Sequence, residues 1–212
     1  MPDLPESDVW TLSETDIFTR FGIGFLYLWH GDLVNAEIYI RQSLKDSEQL
    51  GDVTTLSRAI AYLTVIYRKR GLVDEVRVYA DRLLQTASIG NMIEYIASAY
   101  GHQAWHANRS GDIEKAHSLA EEGYHLLQGV PIGGVIVWIP LWPLIAVEIS
   151  KGQLEDAINH VRVLIGPTQQ PQPETVAAQL QLALDAWAEG NINLSEQHLL
   201  HASQIARQYG YV

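Results

Sequence analysis

The sequence predicts an all-α fold, a right-handed superhelical solenoid of about five antiparallel helix pairs. Three observations lead there. Glycines recur at Gly31, Gly71, Gly111, Gly152 and Gly190, at intervals of 40, 40, 41 and 38 residues. Five residues after each stands a small or slender side chain: Ala36, Val76, Ala116, Ala157 and Ser195. The stretches on either side of each glycine carry apolar residues at intervals of three and four rather than two, the spacing of helices and not of strands. One helix pair hides only one side of its apolar surface, so copies must stack to cover the rest.

Taken in order, the first pair runs near 13–50, with "FGIGFLYLWH" before its turn glycine and "LVNAEIYIRQSL" after it. Ser13 with Asp16 offers a capping box at its start. The second, near 52–89, pairs "AIAYLTVIYRKR" with "LVDEVRVYADRLL"; the third, near 91–128, pairs "YGHQAWHANRS" with "IEKAHSLAEEGYHLL". The fourth, near 135–166, joins the apolar "PLIAVEISK" to "LEDAINHVRVLI", and the fifth, near 173–209, joins "LQLALDAWAE" to "INLSEQHLLHASQIA". A turn glycine permits the positive φ that ends the first helix, and the small residue lets the second pack closely on it. Two links look irregular, "QGVPIGG" before the fourth pair and the proline-rich "GPTQQPQP" before the fifth. Neither is long enough to separate domains, so 13–212 reads as one domain behind a polar leader, 1–12.

The chain resembles the tetratricopeptide repeat family through the first unit above all, where Gly24, Tyr27, Gly31 and Ala36 stand at the family spacing. The second unit keeps Tyr67 and Gly71 but has Thr64 and Val76, and the others keep mainly the glycine and the small residue. The period near 40 exceeds the family's usual ~34 and overlaps HEAT-type repeats, as longer helices would produce. Such elongated repeats are similar to the C-terminal helical regions of MalT-like, LuxR-type bacterial regulators.

Composition narrows the function. A net charge of -11 argues against wrapping duplex DNA or lying on an anionic membrane, so no direct nucleic-acid or membrane partner is expected. The apolar run at 135–147 is interrupted by Pro140 and Pro143 and falls short of the ~20 residues of a spanning helix. Absence of cysteine removes disulfides, thiolate metal sites and cysteine nucleophiles, and fits a cytoplasmic setting. No P-loop, nucleophile elbow or H-E-x-x-H occurs, so no catalytic residue, cofactor or enzyme activity is expected. His102 and His106 lie four apart, and Glu114 with His117 and Glu122 with His125 repeat a Glu-x-x-His spacing. Both carboxylate motifs share one helix, and neither they nor the histidine pair complete a metal set.

The resemblance implies that partner-binding residues line the concave face, on the first helix of each unit. Carried over by distance from each turn glycine, the groove positions include Phe25 and Trp29 in unit one, Arg68 and Lys69 in unit two, and Trp105, Asn108 and Arg109 in unit three. Trp142 and Trp187 stand at the corresponding places in units four and five. Aromatic area beside arginine forks suits a peptide carrying carboxylates; equally, these bulky residues suit packing between units, and "YRKRG" suits a solvated helix end. The resemblance thus implies a non-enzymatic protein-interaction or ligand-sensing domain of a bacterial signalling or transcriptional regulator, taking a peptide, protein segment or small inducer on its concave face. The alternative is a structural oligomerisation module, a homodimer through uncapped terminal repeats, with no ligand in the groove. Trp105 and Arg109 exposed in an open groove would favour the first, and a groove plugged by the chain's own side chains the second. The sequence ends after a second helix with no polar closing helix, so a larger protein or self-association is expected to cover that surface.

Overall fold

The structure, a computed structural model, describes residues 14–130 and 136–212. The leader 1–12, Ser13 of the expected capping box and most of the link before the fourth pair lie outside the described residues. Among those described there are ten helices and no strand: α1 (Glu14–Trp29), α2 (Leu33–Leu50), α3 (Val53–Arg70), α4 (Val73–Ile89), α5 (Ile93–Arg109), α6 (Ile113–Leu127), α7 (Trp138–Ser150), α8 (Leu154–Leu164), α9 (Glu174–Ala188) and α10 (Ile192–Gln208). They form five antiparallel pairs.

The repeat is visible in the turns. All five turn glycines have φ between 70° and 82°, the left-handed conformation in which a Cβ is penalised. Asp32, Asp52 and Asp112 then cap the next helix, each carboxylate accepting the backbone N–H three residues on, and Asn191 does the same for α10. The five small residues that follow are all fully buried. They open a buried stripe that four of the second helices copy position for position: 36, 40, 43 and 47 in α2; 76, 80, 83 and 87 in α4; 116, 120, 123 and 127 in α6; 195, 199, 202 and 206 in α10. Such a one-sided stripe marks a helix with one face on the core and the other in water.

The first helices differ. Every residue of α3 from Ala59 to Arg68 is buried, as is every residue from Ile136 to Ile145 around the start of α7, so both are covered on all sides. Two glycines set the spacing that allows this. A Cβ on Gly24 would stand 2.6 Å from Ile40 Cγ1, bringing α1 onto α2, and one on Gly101 would stand 2.7 Å from Pro140 N, bringing α5 onto α7. The fifth pair breaks the stacking. Helices α3, α5 and α7 each pack broadly on the helix before them, whereas α9 meets α8 over a short stretch only, after the link 165–173. What fastens this last pair is found on the inner face.

Candidate functional site

The inner face, built from the first helix of each pair, falls into two halves. Along α1 and the start of α3 it is an aromatic surface. Phe25 meets Phe21, Trp29 and Tyr62 at ring-centroid distances of 6.0, 5.6 and 5.1 Å, a ladder of offset and edge-on contacts. Arg58 lies over Phe18 and Phe21, at 5.3 and 5.7 Å, and its Nε donates to Tyr95 Oη at 2.9 Å. Phe18 is 55% exposed and Trp29 41%, so this half presents rings to solvent.

Toward α5 and α7 the face is filled by the chain itself. After α10 the segment Tyr209–Val212 runs back across it. Arg68, 1% exposed, donates from Nε to Gly210 O at 3.1 Å and from Nη2 to Tyr211 O at 2.6 Å, while Lys69 Nζ donates to Tyr209 O at 3.4 Å. Three consecutive carbonyls are thus taken by two cations from the last turn of α3. The Tyr211 ring lies 5.1 Å from Trp138, 5.9 Å from Trp142 and 5.0 Å from Lys69 Nζ. Gly210 is at φ 74°, and a Cβ there would meet Arg68 O and the Lys69 backbone at 2.6 Å. Only glycine fits, both for conformation and for room.

Pro143 explains a further acceptor. Lacking an N–H, it leaves Ile139 O, four residues back in α7, without its helical donor, and Arg68 Nη1 approaches that oxygen at 3.4 Å. Nη1 also lies 3.4 Å from His102 Nδ1, and Trp105 and Trp138 flank the guanidinium at 5.7 and 5.6 Å. No acidic side chain pairs with Arg68 among the described residues. Burial pushes its guanidinium down to about 9, still charged at neutral pH. Burial and then the Arg68 charge hold His102 well below its usual range, so it is neutral, with Nδ1 as acceptor. The buried Trp105 Nε1 has no hydrogen-bond partner among the described residues.

The nine residues expected on the concave face therefore separate. Phe25 is half-buried and Trp29 exposed in the open half; Arg109 is exposed, 5.4 Å from the Trp105 ring. Asn108 borders a separate cavity of about 520 Å³ between α5, α7 and α10, together with Arg207 and Gln204. Trp187 is half-buried on α9. Arg68, Trp105 and Trp142 are buried, and Lys69 is turned onto the tail, so the picture of "YRKRG" as a wholly solvated end is corrected at Arg68. Trp142 Nε1 donates to Gln172 Oε1 at 3.0 Å, tying the link to α7. Sequence reasoning missed Tyr211 and Gly210 as inner-face residues; a glycine between two tyrosines, just past a helix, was the available signal. No group of three metal-ligating side chains forms among the described residues, and His102 faces a cation. No described helix is long and apolar enough to cross a membrane.

These features define a TPR-like helical-repeat protein. The structure of BtubC (BKLC) from P. vanneervenii superposes with a TM-score of 0.61 at 17% identity, covering 90% of this chain and 80% of that one. A Podospora anserina structure described as kinesin light chain nearly identical TPR-like repeats gives a TM-score of 0.55 at 16% identity, over 89% of this chain and 93% of that one. At such identities the likeness shows the fold. No protein-family model matches the chain and no curated protein matches its sequence.

Proposed function

We infer that the chain is a non-enzymatic interaction module whose inner face takes a protein segment, peptide or small inducer, in the setting of a bacterial signalling or transcriptional regulator. One observation carries the reading: the exposed Phe18 and Trp29, with the half-buried Phe25 against Trp29, form an aromatic surface with Arg58 beside it, on a scaffold of first helices. Aromatic and arginine side chains are the groups that dominate binding energy at protein interfaces. The reading is tested by selecting peptides from a displayed library and mapping chemical-shift changes. Changes confined to α1 and α3 are expected, and a map centred on the outer faces of the second helices would remove it.

A second reading, a self-associating structural module, is supported by the buried Trp105 and the filling of half the inner face by the chain itself, and by the apolar residues left exposed on the two terminal pairs. Leu26, Val34 and Ile38 are exposed on the first, and Leu182, Leu194 and Leu200 on the last. Light scattering across a hundredfold concentration range separates the two. A stable dimer weakened by Val34→Asp would favour self-association, and a monomer throughout would exclude it.

A further inference from the structure

The tail occupies the inner face in the way a bound peptide would. Its contacts are of two kinds. Main-chain carbonyls of Tyr209, Gly210 and Tyr211 are held by Lys69 and Arg68, presented by a turn in which the Gly210 and Tyr211 amides donate back to Arg207 O and Ala206 O. Selectivity comes from two places: the glycine pressed against the α3 backbone, and the ring of Tyr211 between Trp138, Trp142 and Lys69. Among the described residues, Arg68 is a buried cation served only by carbonyls, an imidazole and rings, so its seat demands an occupant that brings acceptors.

We propose that this seat recognises an aromatic–glycine–aromatic turn of a partner protein, and that Tyr209–Gly210–Tyr211 is its resident, displaceable occupant. The proposal rests on the reading of the chain as an interaction module and names the partner's chemistry. Displacement is favoured by how the fifth pair is attached. It follows the proline-rich link 165–173 and packs on α8 over a short stretch only, so the tail holds it where ordinary repeat stacking does not. A cavity of about 360 Å³ walled by Trp29, Lys69, Gln172, Tyr209 and Tyr211 lies beside the seat, where an incoming segment can begin to pair. It also joins the filled half of the face to the exposed rings of α1.

The test uses the full chain and one variant, Gly210→Ala, which unseats the tail without touching the seat. The probe is a fluorescent, C-terminally amidated peptide of the sequence Gln204–Val212, followed by polarisation. Gly210→Ala protein is expected to bind it at least tenfold more tightly than wild type, and a peptide carrying the same glycine-to-alanine change should bind neither. Equal binding to the two proteins, or none to either, overturns the proposal. Should Gly210→Ala lose helicity, wild type answers instead: excess peptide should speed hydrogen exchange at the Tyr211 amide, which bonds to Ala206 O. Unchanged exchange overturns the proposal. A library-selected peptide that maps to α1 and α3 and binds both proteins equally would leave the interaction module standing while removing the tail as its resident ligand.

Discussion

Arg58 and Arg68 stand on one helix, ten residues and so about 15 Å apart, yet they live in opposite halves of the inner face. Arg58 spreads over Phe18 and Phe21 at the solvent edge and bonds to Tyr95. Arg68 is sealed beneath a tail and bonds to carbonyls from two other parts of the chain. The side chains are identical and the local sequence is helical in both. What separates them is whether a remote segment arrives to replace water, and that decides whether an arginine serves as a contact surface or as a structural anchor.

The largest expected effect breaks this comparison at its strongest point. Arg68→Ala strands the Gly210, Tyr211 and Ile139 carbonyls and should destabilise the protein by about 3 kcal/mol or more, whereas Arg58→Ala should cost less than about 1 kcal/mol. Denaturant midpoints measure both. Equal effects would mean that the tail does not rest on Arg68 in solution.

Two helical glycines sharpen the contrast. In the filled half, Gly101→Ala drives a Cβ into the backbone of Ile139 and Pro140 and should cost roughly 1 to 3 kcal/mol by overpacking. In the open half, Gly22 has nothing within 4 Å of where a Cβ would stand. Gly22→Ala should stabilise α1 by up to about 1 kcal/mol through helix propensity. Thermal melts of the pair should move in opposite directions.

The filled half should also carry a pH dependence. His102 is held below its ordinary value of 6.5 by burial and by Arg68, so below that pH the unfolded chain takes up a proton that the folded one refuses. Stability is then lost as pH falls from about 6.5 toward the folded value, by up to ~1.4 kcal/mol per pH unit. His102→Leu should flatten that part of the profile, and an unaltered slope would place the titration elsewhere.

The smallest stability effect belongs to the open half. Trp29→Ala removes a ring that is 41% exposed and should change stability by about 1 kcal/mol or less. Binding of a library-selected peptide should fall at least tenfold. A large stability loss with binding intact would mark Trp29 as packing and would favour the self-associating module.

Local rules made the solenoid legible. The turn glycines Gly31, Gly71, Gly111, Gly152 and Gly190 all take positive φ, and Ala36, Val76, Ala116, Ala157 and Ser195 are all buried, because turn geometry and helix crossing are set within a few residues of each glycine. The state of the inner face was not legible in this way. Lys69 and Arg68 fit a solvated helix end, and nothing near them encodes a cover that arrives some 140 positions later. Trp105 and Trp142 suited a binding groove and packing between units alike, and both are buried. Pro143 looked like an interruption, and only the fold shows Arg68 reaching the carbonyl it leaves without a donor.

The bonds from Arg68 to Gly210 and Tyr211 span 142 and 143 positions. A stack in which each unit touches only its neighbours can fray from either end, one unit at a time. Here the last pair cannot peel away without also opening the second, and the entropy of closing so long a loop grows only with the logarithm of its length. The consequence is cooperative melting: a quasi-linear array is made to unfold as one body, with its thermal transition set across the ring rather than along the ladder.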